Sequence, residues 1–166
     1  IRKAKRDNIN YVLDISCLID HSIYFCTLKE PSLANLFKVI KPHFIVLDVG
    51  ENIGFVTLNL ARSCYNGFVY SFEPDSRNFH CLQVNLKENN FQNIASFQIA
   101  AGMTSEKMVL TKREKTNPGA NRILPAGADH QYDQEWVDVK PLDLIADQLK
   151  IPRIDLIKID VEGFEL

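Results

Sequence analysis

The feature that most constrains this chain is the run Phe44-Ile-Val-Leu-Asp-Val-Gly50, apolar on consecutive positions and closed by Asp and Gly. A strand with one wet face would alternate; an unbroken run marks a strand covered on both faces, as in a parallel sheet between helices. The pattern recurs in Gly67-Phe-Val-Tyr-Ser-Phe72, which ends at Glu73-Pro74, and in Asp155-Leu-Ile-Lys-Ile-Asp160, which runs into Val161-Glu-Gly163. Between the first two, residues 51–54 read as a turn and Phe55–Arg62 as a helix. After the second, Asp75 suits a helix cap, and Phe79, Leu82 and Leu86 form one apolar face that Asn89-Asn90 ends. Ala95–Ala101 reads as a third, more polar strand near a sheet edge. The βαβαβ rhythm predicts an open, doubly wound α/β sheet with right-handed crossovers.

The flanks are less regular. The first dozen residues carry Arg2, Lys3, Lys5 and Arg6 and read as a solvated lead-in, with strands over Tyr11–Ile19 and Ser22–Thr27. Pro31 followed by Leu33, Leu36, Phe37 and Ile40 spells a helix, stopped at Lys41-Pro42. Downstream, Lys107–Thr111 and Glu135–Val139 read as strands around the polar stretch Lys112–Gln134, a hairpin-like insertion over about 107–140 with a long loop. Leu142–Leu149 predicts a short helix. The expected domains are residues 1–42, a lead-in with short strands and a helix, and 43–166, carrying the sheet and its insertion.

Composition removes several classes of function. Nineteen basic and 21 acidic residues leave a net charge of −2, with no positive excess for a phosphate backbone or an anionic membrane. No apolar run approaches the roughly 20 residues that cross a bilayer. Cys17, Cys26, Cys64 and Cys81 form no CxxC pair and no cluster with histidine, so no metal is expected. They read as buried free thiols of a reducing compartment, hence a cytoplasmic protein.

The chemistry gathers where strands end, because ligands of open α/β sheets bind beyond the strand carboxyl ends. The first strand ends in Asp48-Val-Gly50-Glu-Asn52-Ile-Gly54. Gly50 and Gly54 permit a tight turn and close backbone approach before a helix N-terminus. That suits a dinucleotide pyrophosphate or the amino-acid end of S-adenosylmethionine (SAM). The spacing separates them: G-x-x-x-G places Asn52 where a dinucleotide site has its second glycine, and Asp48 would repel a pyrophosphate but suits an ammonium. Glu73 can accept both hydroxyls of a ribose, a device common to both cofactors. If the pleat continues past Ile159, Lys158, Asp160 and Glu162 share one face, turned toward the same crevice.

VLDVGENIGFVTL, VYSFEPDSRNFHCLQVNLKENN and IDLIKIDVEGFE, in that order and spacing, resemble the FkbM-type SAM-dependent methyltransferase family. The flanking IDHSIYFCTLKEP and NPGANRIL…VDVKPLDLI extend the resemblance from about Leu13 onward. It implies a Rossmann-like class I fold, with SAM as cofactor and metal-independent methyl transfer, commonly onto hydroxyl oxygens of sugars or natural products. By the same resemblance Asp48, Gly50, Asn52 and Gly54 match the SAM loop, Glu73 the ribose acid, Ala100 and Ala101 the adenine contacts. Asp160, Glu162 and Gly163 match the signature after the last strand. Asp160 also counts among the cofactor residues, and Asp160 or Glu162 as the base that relieves the acceptor hydroxyl of its proton. Glu51 departs from the family, which usually has Ala there, and is expected to point to solvent.

The competing readings are a SAM-binding but catalytically idle sensor or scaffold, a nicotinamide oxidoreductase, disfavoured by the glycine spacing, and a nucleic-acid base methyltransferase, disfavoured by DVEG and the charge. The expected partner is a small-molecule or glycan hydroxyl acceptor, with neither nucleic acid nor membrane. Asn85 reads as an internal hydrogen-bonding residue, Tyr132 and Trp136 as packing the insertion, and His130 as solvated. A class I sheet has seven strands, and this chain reaches only the fourth parallel one, so its C-terminal strands are expected to lie beyond Leu166 in a longer protein.

Overall fold

A computed structural model of the chain describes residues 1–25, 31–112, 121–124 and 132–161. In chain order the elements are β1 (Arg2–Arg6), β2 (Ile9–Leu13), α1 (Leu18–Phe25), α2 (Pro31–Val39), β3 (Ile45–Val49), α3 (Phe55–Ser63), β4 (Phe68–Phe72) and α4 (Ser76–Lys87). They continue as β5 (Ile94–Phe97), β6 (Ala100–Ala101), β7 (Glu106–Lys112), β8 (Arg122–Leu124), β9 (Asp133–Lys140), α5 (Leu142–Leu149) and β10 (Leu156–Ile159).

The apolar runs form a parallel sheet in the order β10-β3-β4-β5. Each face is covered. Val46 and Val69 pack with Val56, Leu60 and Ala61 of α3, flanked by Leu33, Leu36, Phe37 and Ile40 around α2. Leu47, Val49 and Phe72 pack on the opposite face with Ile145 of α5. Burial on both faces is what the unbroken runs predict. Asp75 caps α4, its carboxylate accepting from the N–H groups of Arg77 and Asn78.

A second sheet, in the order β6-β9-β7-β8, is the insertion, with β7 antiparallel to both β8 and β9. Its small core is Ala100, Leu110, Val137 and Val139. The short β8 is absent from the sequence reading.

Three segments differ from expectation. The basic lead-in is strand β1, paired antiparallel with β2 through a turn at Asp7 and Asn8, both with positive φ. Two such residues match the twist of a tight hairpin, so the charges line the outer strand while Ile9, Tyr11 and Leu13 enter a core with Ile23, Ile53 and Leu58. The strand expected over Tyr11–Ile19 ends at Leu13, with Leu18 and Ile19 already helical, and the strand expected at Ser22–Thr27 is instead helix α1 as far as Phe25, the rest lying outside the described residues. Hydrogen bonds at Asp14 hold the turn that leads into α1: Ser16 donates to the Asp14 carboxylate, and the buried Asp20 carboxylate accepts from the Asp14 N–H at 2.6 Å. Last, Ala95–Ala101 is two strands. The Ile99 N–H donates to the Phe97 carbonyl, which turns the chain so that β6 leaves the parallel sheet and joins β9.

Candidate functional site

The strand order places a switch point between β3 and β10, with the crevice beyond their carboxyl ends. The β3–α3 turn is left-handed three times, at Gly50 (φ 73°), Asn52 (φ 57°) and Gly54 (φ 88°). Asparagine is among the few non-glycine residues that tolerate this conformation. The glycines serve the chain's own packing. A Cβ on Gly50 would overlap the Asp160 carbonyl, and one on Gly54 would meet the Leu82 side chain. Backbone bonds complete the junction: the Gly50 N–H donates to the Phe72 carbonyl at 2.9 Å and the Asp160 N–H to the Val49 carbonyl at 3.0 Å.

Glu73, at the end of β4, is buried and lines a pocket beyond the strand ends. Its carboxylate accepts from the N–H of Asn52 at 2.8 Å and of Asp75 at 3.0 Å, bracing the turn against the start of α4. Burial pushes this carboxyl up from 4.5 to about 7, against the pull of those two N–H groups. Asn85 braces the same turn from beneath. It accepts from the Val12 N–H at 2.7 Å and donates to the Ile53 carbonyl at 2.9 Å, the internal role its position predicts.

Asp48 is fully buried and is not on the pocket wall. Its carboxylate accepts from the Thr57 hydroxyl at 2.6 Å and pairs with Lys158 Nζ at 3.1 Å. Lys158 faces Asp48 in the β10–β3 register and donates to the Gly50 carbonyl at 2.9 Å. The sequence reading has Lys158 sharing a face with Asp160; its carbonyl-holding role needs the strand pairing to be seen. Glu51 is a correction. Expected at the surface, it is 3% exposed, with Oε2 at 2.9 Å from the Thr57 hydroxyl. Tucking under the first turn of α3 gives it that contact, while burial, then Asp48 and Glu73, push its carboxyl well above the ordinary range.

The pocket joins the two sheets. Gly50, Asn52 and Glu73 line one side, Phe72, Ile99, Ala100 and Ala101 the floor, and Leu110, Asn121 and Ile123 of the insertion the other side. Asp160 stands at its rim with an open side chain, its carboxylate 3.8 Å from Lys158 Nζ. Glu162, Gly163 and His130 lie outside the described residues, as does Cys26. Asn121 was not singled out from sequence. Its amide donates to Asp75 at 2.9 Å, and its buried carbonyl oxygen on the pocket wall has no partner among the described residues. Lys112 bridges Glu135 at 2.7 Å and Asp75 at 3.6 Å, tying the insertion to the start of α4. Tyr132 and Trp136 do not pack the insertion. Both are exposed, because Trp136 falls on the outward phase of β9. Among the described residues no group of His, Cys, Asp or Glu is arranged to hold a metal, and no helix is long and apolar enough to cross a membrane.

Comparisons with known proteins add a family. The family model described as the methyltransferase FkbM domain matches residues 48–166. "Methyltransferase 1" of Beauveria bassiana (strain ARSEF 2860) is 28% identical over 137 residues, covering 73% of this chain and 55% of that protein. The chain thus spans about half the length of this curated relative. A crystal structure of the FkbM methyltransferase from Methylobacillus flagellatus KT superposes with a TM-score of 0.50 at 23% identity, covering 74% of this chain and 27% of that one. That likeness is one of fold: the parallel α/β sheet is of the class I methyltransferase type.

Proposed function

This chain belongs to the FkbM methyltransferase family, which depends on SAM, and from that premise we propose that it methylates a hydroxyl oxygen of a sugar or small natural product. The observation that carries the reading is the pocket at the switch point, where a buried acid meets an apolar slot. The residues present fit the cofactor. Each Glu73 oxygen spends one lone pair on a backbone N–H and keeps another for a ribose hydroxyl. Phe72, Ile99, Leu110 and Ile123 offer apolar surface to a purine, and the Asn121 carbonyl offers a buried acceptor with no partner among the described residues.

Bound SAM supplies a methyl group already activated on a sulfonium, so the protein's work is placement and exclusion of water. The apolar wall of the insertion keeps the slot dry. In this reading Asp160, whose side chain is open at the crevice mouth, takes the proton of the acceptor hydroxyl. Glu162 is the other candidate for that role. The acceptor class follows the family resemblance, and the net charge of −2 favours a small molecule or glycan over nucleic acid.

The test is a SAM titration followed by release of S-adenosylhomocysteine against a panel of sugars and hydroxylated small molecules. Saturable SAM binding with acceptor-dependent release is expected. Turnover of Asp160→Asn and Glu162→Gln at saturating SAM should fall in at least one variant; unchanged turnover in both removes them as bases. Binding without release on any acceptor would instead indicate an idle SAM-binding domain.

A further inference from the structure

The β3–α3 turn rests on a buried network whose protons can be counted. Thr57 Oγ1 lies 2.6 Å from Asp48 Oδ2 and 2.9 Å from Glu51 Oε2. A hydroxyl carries one hydrogen, so it donates to one of these oxygens and accepts from the other. An ionised carboxylate only accepts. One of the two carboxyls therefore holds a proton.

Their surroundings decide which. Asp48 has Lys158 Nζ, from β10, at 3.1 Å from its other oxygen. Among the described residues Glu51 faces no cation of its own. Toward it stand the carboxyls of Asp48 from β3 and Glu73 from the end of β4, and the hydroxyls of Thr57 from α3 and Ser71 from β4. Lys158 is already committed to Asp48 and to the Gly50 carbonyl. Among the described residues Glu51 Oε1 is buried with no hydrogen-bond partner beyond the Ser71 hydroxyl that faces this carboxyl, a condition that a neutral acid tolerates far better than an anion.

We propose that Glu51 is a neutral carboxylic acid in the folded protein and a positioning residue for the cofactor turn. It donates to Thr57, Thr57 donates to Asp48, and Asp48 balances Lys158, which donates to the Gly50 carbonyl. The chain of contacts links one proton to the backbone of the turn that the SAM reading assigns to the cofactor; only that last step rests on the reading. Ionising Glu51 removes the donor to Thr57 and adds an anion beside Asp48, so the turn loses its anchor. Desolvation, Asp48 and Glu73 all oppose that ionisation. The unfolded chain gives up the same proton near its ordinary value of 4.5. The proton's contribution to stability is thus fully present in acid and declines as pH rises.

Carboxyl carbon NMR of the wild-type protein tests the proton directly. Two glutamates should titrate above the ordinary range, and one of them should persist in Glu73→Gln. A single late-titrating glutamate overturns the proposal. In a parallel experiment, wild type and Glu51→Gln, whose amide can still donate to Thr57, are compared for unfolding midpoint and SAM affinity between about pH 6 and about pH 9. The wild type's unfolding midpoint should fall relative to that of Glu51→Gln as pH rises, and its SAM affinity should weaken relative to the variant's as Glu51 ionises. Parallel stability curves overturn the proposal. Thr57→Val should weaken SAM binding and Thr57→Ser restore it; wild-type binding by Thr57→Val also overturns it. If no form binds SAM, the cofactor reading fails, while the NMR and stability results still decide the state of Glu51.

Discussion

The parallel sheet holds Asp48, Glu51 and Glu73 below one-tenth exposure, whereas the insertion keeps Lys112, Asn121 and Glu135 partly open to water at its rim. Both sets tie separate elements together, but by different physics. Inside the sheet each polar group depends on another for its partner, so loss of one strands the next at full desolvation cost. At the rim, water replaces a lost partner and salt screens the charges, so each contact counts for little. The parallel half should therefore respond to substitution as a unit, and the insertion piecemeal.

The most severe test falls at Gly50. Alanine there needs a left-handed backbone and a Cβ driven into the Asp160 carbonyl, and backbone cannot yield as a side chain can. Gly50→Ala should cost about 4 kcal/mol in urea unfolding, separating β3 from β10. At Gly54 the obstacle is the Leu82 side chain, which can move, so Gly54→Ala should cost clearly less. Equal losses would show that the strain is conformational alone and that the β3–β10 junction is not the tight point.

Glu73 gives the next largest effect. Its carboxyl moves from 4.5 in the ordinary state to about 7 in the fold. A raised value means that the unfolded chain releases its proton first, so stability falls as pH rises between those limits and levels off above. The loss is on the order of 3 kcal/mol. Glu73→Gln should remove that part of the fall from a plot of unfolding free energy against pH and leave the part that Glu51 contributes. An unchanged fall would assign it to other groups.

What could be read from sequence divides along the same line. Unbroken apolar runs and their helices were legible because burial on both faces writes itself into consecutive residues. Hence β3, α3, β4, α4 and β10 emerge close to their observed bounds. Elements whose character depends on a neighbour were not. The charges of β1 disguise a strand that is satisfied by pairing with β2, and α1 depends on hydrogen bonds at Asp14 and Asp20. At the site, Glu73 was legible from its place at a strand end. Glu51 was misjudged because charge predicts exposure, while its burial rests on Thr57, six residues onward in α3. Lys158 offers a signal that a closer reading would catch: a lysine inside an apolar strand needs a buried anion, and Asp48 occupies the matching place in β3.

Across the rim, Lys112→Met tests the clamp between the insertion and α4. Lys112 is three-tenths exposed and shared between Glu135 and Asp75, so its removal should cost about 1 kcal/mol, shrinking in high salt. A loss as large as that of Gly50→Ala would mean the two sheets unfold as one network. The finer readout is the pocket: because Asn121 also reaches Asp75, SAM affinity should drop modestly with the clamp.

The smallest effect on stability belongs to the largest side chain of the insertion. Trp136 is 63% exposed on β9, opposite Val109 in the β7–β9 register. Its outer face covers nothing that folding needs covered, so Trp136→Ala should change unfolding free energy by less than about 0.5 kcal/mol. The same substitution at the inward neighbour Val137, buried in the insertion core, should cost about 2 kcal/mol. If Trp136→Ala matched that loss, the insertion would pack on both faces like the parallel sheet and the contrast between the halves would fail. If the variant's stability holds while the wild type's tryptophan fluorescence shifts when an acceptor is added, the exposed ring lies where the acceptor docks.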